Sequence, residues 1–261
     1  MGAGLSSSAA LEVLTAYALT YAAEKTTDKA RLAKLCQRVE NEYVGVRCGI
    51  MDQFSVALSR KGQLLILECS SENYSYAHYA LKGYRPVVMN TNVPRELRVS
   101  KYNERRRECE TALRALQSHQ PELRHLAYAK RQSWQELSGA IQNRTRYVIE
   151  EQERVRECVR ALEEGDAKRV GQLMNESHWG LQNLYEVTGK HLDALCTAAR
   201  NHPACTGARM TGAGFGGCAI ALVAVGSEND FIHSVGESYH AQTGMRADFY
   251  EVFPGEGVRC L

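Results

Sequence analysis

The sequence predicts an α+β fold on three observations: long stretches with helical apolar periodicity, short apolar runs bounded by turn residues that read as buried strands, and two glycine clusters. One cluster opens a helix and the other opens a strand. With 261 residues, 44% of them hydrophobic and 24% charged, the chain can bury one large core or two modest ones.

In chain order, the spacing predicts a helix over 6–24 and a second over 28–44. A loop at 45–49 then delivers Ile50-Met51-Asp52-Gln53-Phe54. QLLILE at 63–68 and RPVVMN at 85–90 read as buried strands, with the connection out of the second at 90–95. From 100 to 189 the pattern is mainly helical; within 146–164, Val148, Ile149, Gln152, Val155, Val159 and Leu162 trace one face, which is read as core packing. A glycine cluster at 212–217 opens the strand CAIALVAV at 218–225, followed by a helix near 229–242 and a last strand near 247–253.

Composition narrows the function. Thirty-two Lys and Arg stand against 30 Asp and Glu, a net charge of +2 with the basic residues dispersed, so nothing resembles a nucleic-acid footprint. The densest basic run, Arg105-Arg106-Arg107, is flanked by Glu104, Glu108 and Glu110 and is expected to be a solvated or internally paired helix face. Nine cysteines, odd in number and without a CxxC pair, argue against a disulfide framework or a zinc site and for a reducing, cytoplasmic setting. No secretory signal pattern and no membrane-spanning apolar run is present.

Three features carry chemistry. Gly2-Ala3-Gly4-Leu5-Ser6-Ser7-Ser8 precedes a helix, and two readings stay open: a Gly/Ser turn with a serine cap, or an anion site where helix amides and the dipole face a polyphosphate. The absence of a following Gly-Lys-Ser/Thr excludes a Walker loop. The second feature is Gly212-Ala213-Gly214-Phe215-Gly216-Gly217, where four glycines in six positions imply backbone conformations or close approaches that side chains would block. The third is Asp52, within CGIMDQF, which is either a helix N-cap or a functional carboxylate held among apolar neighbours.

Taken in order, GLSSSAALEV at 4–13, ENEYVGVRCGIMDQF at 40–54, NTNVPRELRVSKYNERRRECE at 90–110, ESHWGLQNLYEVT at 176–188 and ARMTGAGFGGCAIALV at 208–223 resemble the GHMP small-molecule kinases, and the galactokinase branch within them. That resemblance implies a two-domain fold, with an incomplete ribosomal-S5-like domain over 1–97 and a ferredoxin-like domain over 98–261. It implies that Gly2, Gly4, Leu5, Ser6, Ser7 and Ser8 bind ATP phosphates, and that Ser8 and Glu40 hold Mg²⁺. Asp52 would be the catalytic carboxylate facing the anomeric hydroxyl of galactose. Gly49 and Tyr102 would border the sugar, and Gly212, Gly214, Gly216 and Gly217 would lie near the phosphates. Galactose and ATP are the implied partners, with neither nucleic acid nor membrane.

There are departures from the family pattern. The family's first motif, with an arginine for the catalytic aspartate and a Gly-Glu-His-x-Asp run for the sugar, has no counterpart in the sequence. The expectation is therefore an N-terminally truncated chain with a complementing N-terminal fragment as a further partner. Ala213 replaces a frequent glycine, and Tyr147 stands where histidine is common. The alternatives are a related kinase for N-acetylgalactosamine or arabinose, and a non-catalytic galactose sensor; the intact Ser6-Ser7-Ser8 run and Asp52 speak against the sensor.

Overall fold

A computed structural model describes residues 5–26, 28–93 and 98–260. The chain forms two compact units, Met1–Tyr79 with Phe253–Leu261, and Ala80–Val252. These units divide elsewhere than at 97/98, because the strand Tyr84–Asn90 is hydrogen-bonded between two strands of the second unit while the C-terminal tail pairs with the first.

The first unit holds helices α1 (Ser7–Ala22), α2 (Lys29–Val39) and α3 (Met51–Leu58), and an antiparallel hairpin of β1 (Gln63–Glu68) and β2 (Asn73–His78). Asp28 starts α2 as its N-cap, accepting from the amides of Ala30 and Arg31 at 2.9 and 3.3 Å. The predicted helix does not run on to residue 44 in α form: it changes at Glu40 into a π-helical turn, Glu40–Val44, stopped by Gly45 at φ 82°. Val13, Leu32, Ala33, Cys36, Ile50, Phe54 and Ala57 form the core, with Leu65, Leu67 and Val258 packed against it. Val258 is held by its amide on the Val56 carbonyl, 2.9 Å, and by Lys29 Nζ on its own carbonyl, 2.6 Å. On the opposite side of α1, Leu11, Leu14, Leu19 and Tyr21 are exposed.

The second unit is a four-stranded antiparallel sheet, in the order β4 (Cys205–Met210), β5 (Cys218–Ala224), β3 (Tyr84–Asn90), β6 (Asp248–Glu251). Helices α4 (Arg98–Gln117), α5 (Gly139–Glu164), α6 (Ala167–Asn183), α7 (Lys190–Arg200) and α8 (Glu228–Thr243) complete it. Apolar residues of β3 and β5 fill its interior because both strands are flanked on each side; Val87, Met89, Ala219, Ala221 and Val223 are buried with Leu192, Leu195, Phe231 and Tyr239 from the helices. Helix α6 lies on β4 so closely that a Cβ on Gly207 would stand 2.0 Å from the Gly171 carbonyl oxygen.

On α5 the buried positions are Arg144, Thr145, Tyr147, Ile149 and Ala161, and Val155 is exposed, so the face read from sequence is only partly the packed one. The basic run also divides. Arg106 pairs on the surface with Glu110, whereas Arg105 is buried and donates to the carbonyls of Tyr185 and Glu186 at 2.8 and 3.2 Å. Buried Arg144 donates to the Leu184 carbonyl at 2.6 Å, to Glu108 at 2.9 Å and to Glu186 at 2.8 Å, pinning the turn after α6.

The Arg144 guanidinium holds the Glu186 carboxyl below its ordinary value of 4.5. A carboxyl depressed in the folded state adds stability above its unfolded value and loses it as pH falls through the folded one. Acidification below pH 4.5 should therefore weaken the second unit. Glu186→Gln should flatten that slope in urea titrations followed from pH 6 to 3; an unchanged slope would remove Glu186 from the acid response.

Candidate active site

Helix α1 begins on a strained residue. Ser6, its N-cap, has φ 53° in the left-handed region and makes no side-chain capping bond, and the first turn carries no acid. Among the described residues no side chain caps the opening amides and no acid faces the positive end of the dipole, a setting that favours an anion. Ser7, Ser8 and Leu5 are exposed. Gly2 and Gly4, the other residues expected to wrap phosphate, lie outside the described residues.

Glu40 sits where α2 passes into the π-helical turn, a distortion that recurs at functional sites. It is only 5% exposed, and among the described residues no Lys, Arg or His pairs with it. Another acid, Glu12 of α1, lies within electrostatic reach of it. Burial first, and then the Glu40 carboxyl, push Glu12 up from 4.5 to about 7. Glu12 was not among the residues expected from sequence. The signal for it was its position four residues after Ser8, on the same side of α1.

Asp52 is in the first turn of α3, two residues after the N-cap Ile50, so it is not the N-cap. Phe54 and Ala57 turn inward at 0% exposure, and Asp52 is half-buried with no hydrogen-bond or ion-pair partner among the described residues. Burial pushes the Cys48 thiol up; Gln53 Nε2, 3.9 Å from its sulfur, works against that, and the charges of Glu40 and Asp52 add to it. One thiol therefore lies within electrostatic reach of both acids. Gly49, next to Cys48, is exposed, and a Cβ there would meet nothing within 4 Å. Among the described residues no contact demands glycine at that position.

In the second unit, the 212–217 loop joins β4 to β5. All four glycines have positive φ, 75°, 80°, 93° and 90°, and a Cβ on Gly214 would lie 2.1 Å from the Val187 carbonyl oxygen. Backbone conformation thus accounts for each glycine without reference to a ligand. Buried Thr91 closes the loop: its hydroxyl donates to the Gly217 carbonyl at 2.9 Å and accepts from the Gly217 amide at 3.1 Å. Tyr239 donates in turn to the Thr91 carbonyl at 3.0 Å. Tyr102 lies on α4, half-buried, within electrostatic reach of Tyr185.

The described residues contain no group of three or more His, Cys, Asp or Glu able to hold a metal ion, and no helix long and apolar enough to cross a membrane. All nine cysteines are free.

Comparison with known proteins agrees along the whole chain. Residues 1–60 match the family model for the GHMP kinase N-terminal domain, and residues 158–240 match the one for the C-terminal domain. A galactokinase of Exiguobacterium sibiricum is 45% identical over 99% of this chain and 67% of its own length, and one of Halalkalibacterium halodurans is 43% identical over 98% and 66%. The chain thus spans about two thirds of the length of these relatives. Among solved structures, Lactococcus lactis galactokinase complexed with galactose superposes with a TM-score of 0.94 at 37% identity, covering 98% of this chain and 67% of that one. L. major mevalonate kinase in complex with R-mevalonate, at 18% identity and TM-score 0.62 over 97% of this chain and 67% of its own, shares the fold alone. With an α+β architecture and this likeness over nearly all its length, the chain belongs to the galactokinases of the GHMP kinase family.

Proposed function

We propose that these residues transfer the γ-phosphoryl group of ATP to the C1 hydroxyl of galactose, giving galactose 1-phosphate and ADP. The observation that carries this reading is Asp52: a first-turn carboxylate with no hydrogen-bond or ion-pair partner among the described residues, sharing the Cys48 neighbourhood with the buried acid Glu40, in a chain 45% identical to a galactokinase. The uncapped start of α1 binds phosphate oxygens through its amides, with Ser6, Ser7 and Ser8 supplying hydroxyls. Asp52 accepts the hydrogen bond of the anomeric hydroxyl and takes its proton as the C1 oxygen bonds to phosphorus and the bond to ADP breaks. On the family resemblance Gly49 would border the same sugar.

Mg²⁺ fits the residues present. Among the described residues, Glu40 is a buried acid without a cationic partner, and the Glu12 Oε2 near it is a buried acceptor without a donor. Ser8 and Glu40 would hold the ion, with phosphate oxygens completing its shell, and when bound it neutralises charge on the transferring group. The nine free cysteines support a reducing, cytoplasmic setting. The exposed apolar side of α1 fits burial under the third of the galactokinase fold that these residues do not span, as a complementing N-terminal segment would provide.

A panel of galactose, N-acetylgalactosamine and arabinose, each with MgATP and followed by ADP release, tests the substrate. It is run on the chain as given and joined to the remaining third of the Exiguobacterium relative. The highest kcat/KM is expected for galactose; a higher value for either other sugar would reassign the kinase.

A further inference from the structure

We propose that residues 254–260 form the C-terminal cap of α3, and that Gly257 and Val258 are positioning residues for Asp52. The proposal rests on reading Asp52 as the catalytic carboxylate. α3 has eight residues, a length of about 12 Å, and a helix that short does not hold its form in water unaided. Its C-cap, Ser59, has φ −54° and ψ 148°, so no left-handed glycine closes the helix from the local sequence. The carbonyls of its last turn therefore need donors from elsewhere.

Those donors come from about 200 residues further along the chain, and from β2. The Val258 amide donates to the Val56 carbonyl at 2.9 Å and the Gly257 amide to the Ser59 carbonyl at 2.8 Å, while the Tyr76 hydroxyl donates to the Leu58 carbonyl at 2.7 Å. The tail lies backbone to backbone on α3: a Cβ on Gly257 would stand 2.7 Å from the Val56 carbonyl oxygen and 2.8 Å from that of Ala57. The Val258 side chain packs against the core that holds Phe54 and Ala57. The same segment reaches the other two helices. Lys29 Nζ, at the start of α2, donates to the Val258 carbonyl at 2.6 Å, and the Tyr17 hydroxyl of α1 lies 3.8 Å from Cys260 Sγ. Asp52 stands four residues before Val56 on α3, one turn away along the same side, so a shift at Val56 passes directly to it. For a group placed against a reacting atom, a displacement of about 1 Å costs about 10²-fold in rate.

The test uses the chain joined to the remaining third of the Exiguobacterium relative. Gly257→Ala drives a methyl group into the α3 backbone. It is expected to lower kcat for galactose by about tenfold or more, with the KM for MgATP within about twofold, and to speed hydrogen exchange of the α3 amides by about tenfold. Gly255→Ala, in the same tail but with a Cβ 4.0 Å from its nearest neighbour, the Phe253 carbonyl oxygen, should match the parent in both readouts. A chain ending at Glu256 lacks both amide donors without any clash and should behave as Gly257→Ala does. Circular dichroism checks each variant, and where Gly257→Ala does not fold the shortened chain decides by the same two readouts. Unchanged exchange would overturn the cap, and faster exchange with unchanged kcat would overturn the positioning of Asp52. Exchange needs no turnover, so near-normal kcat in Asp52→Asn would sink the catalytic reading separately and leave the cap to be judged by exchange alone.

Discussion

Asp52→Asn is expected to lower turnover of galactose and MgATP by about 10²- to 10⁴-fold, the range that a positioned general base contributes. The amide keeps the size and the helical position of the side chain, so α3 and its inward Phe54 and Ala57 should be undisturbed. What it loses is negative charge. An asparagine cannot take the proton of the attacking hydroxyl, and that interaction matters only as the new oxygen–phosphorus bond forms. The deficit should therefore fall on kcat, with the KM for ATP within about twofold of the parent. Ser8→Ala provides the contrast, because a serine at the mouth of α1 acts on phosphate and ion, and its loss should raise the KM for MgATP. Near-normal kcat in Asp52→Asn would remove Asp52 from the chemistry.

The largest effect on stability is expected at Gly207. A Cβ there would lie 2.0 Å from the Gly171 carbonyl oxygen and 2.5 Å from its carbonyl carbon, and both obstacles are backbone of α6. No rotamer change can relieve such a contact; α6 and β4 would have to separate over the core formed by Ala208, Met210 and Leu195. Gly207→Ala should cost about 3 kcal/mol or more, the upper end for overpacking. Both tryptophans, Trp134 and Trp179, belong to the second unit, so their fluorescence in urea reports the loss there. Gly236→Ala on α8, where a Cβ would come no nearer than 3.4 Å to Phe249, should leave unfolding there nearly unchanged. Equal unfolding midpoints for Gly207→Ala and the parent would contradict the close helix-on-strand packing.

How far the sequence disclosed all this depends on where the determining interactions lie. β1 was legible to the residue, and β3, β5 and α8 to within one or two, because apolar runs and turn residues are local signals. β2 was not. Its segment, NYSYAH, is polar and lacks a β-branched residue, and it is a strand because it pairs residue for residue with β1. β4, CTGARM, hides in the same way: Gly207 and Arg209 weaken any strand signal, and contact with α6 supplies what propensity does not. α7 was readable, with Leu192, Leu195, Cys196 and Ala199 buried at helical spacing, but it went unassigned.

The site divides along similar lines. The glycine and serine loop, Asp52 and Glu40 stand in ordered motifs that name the family. Glu12 does not, since a single acid in an apolar helix gains meaning only from Glu40, 28 residues further along the chain and adjacent only after α1 and α2 pack. The N-cap reading of Asp52 likewise could be dismissed only when α3 was seen to start at Met51.

Phosphorus-31 nuclear magnetic resonance of galactose with MgATP, on the 261 residues joined to the remaining third of the Exiguobacterium relative, tests the central claim most directly. The account predicts a sugar 1-phosphate resonance growing in step with ADP, and growing at least about 100-fold more slowly when Asp52→Asn replaces the parent. ATP and galactose remaining intact with the parent protein, or phosphate appearing on a position other than C1, would contradict it.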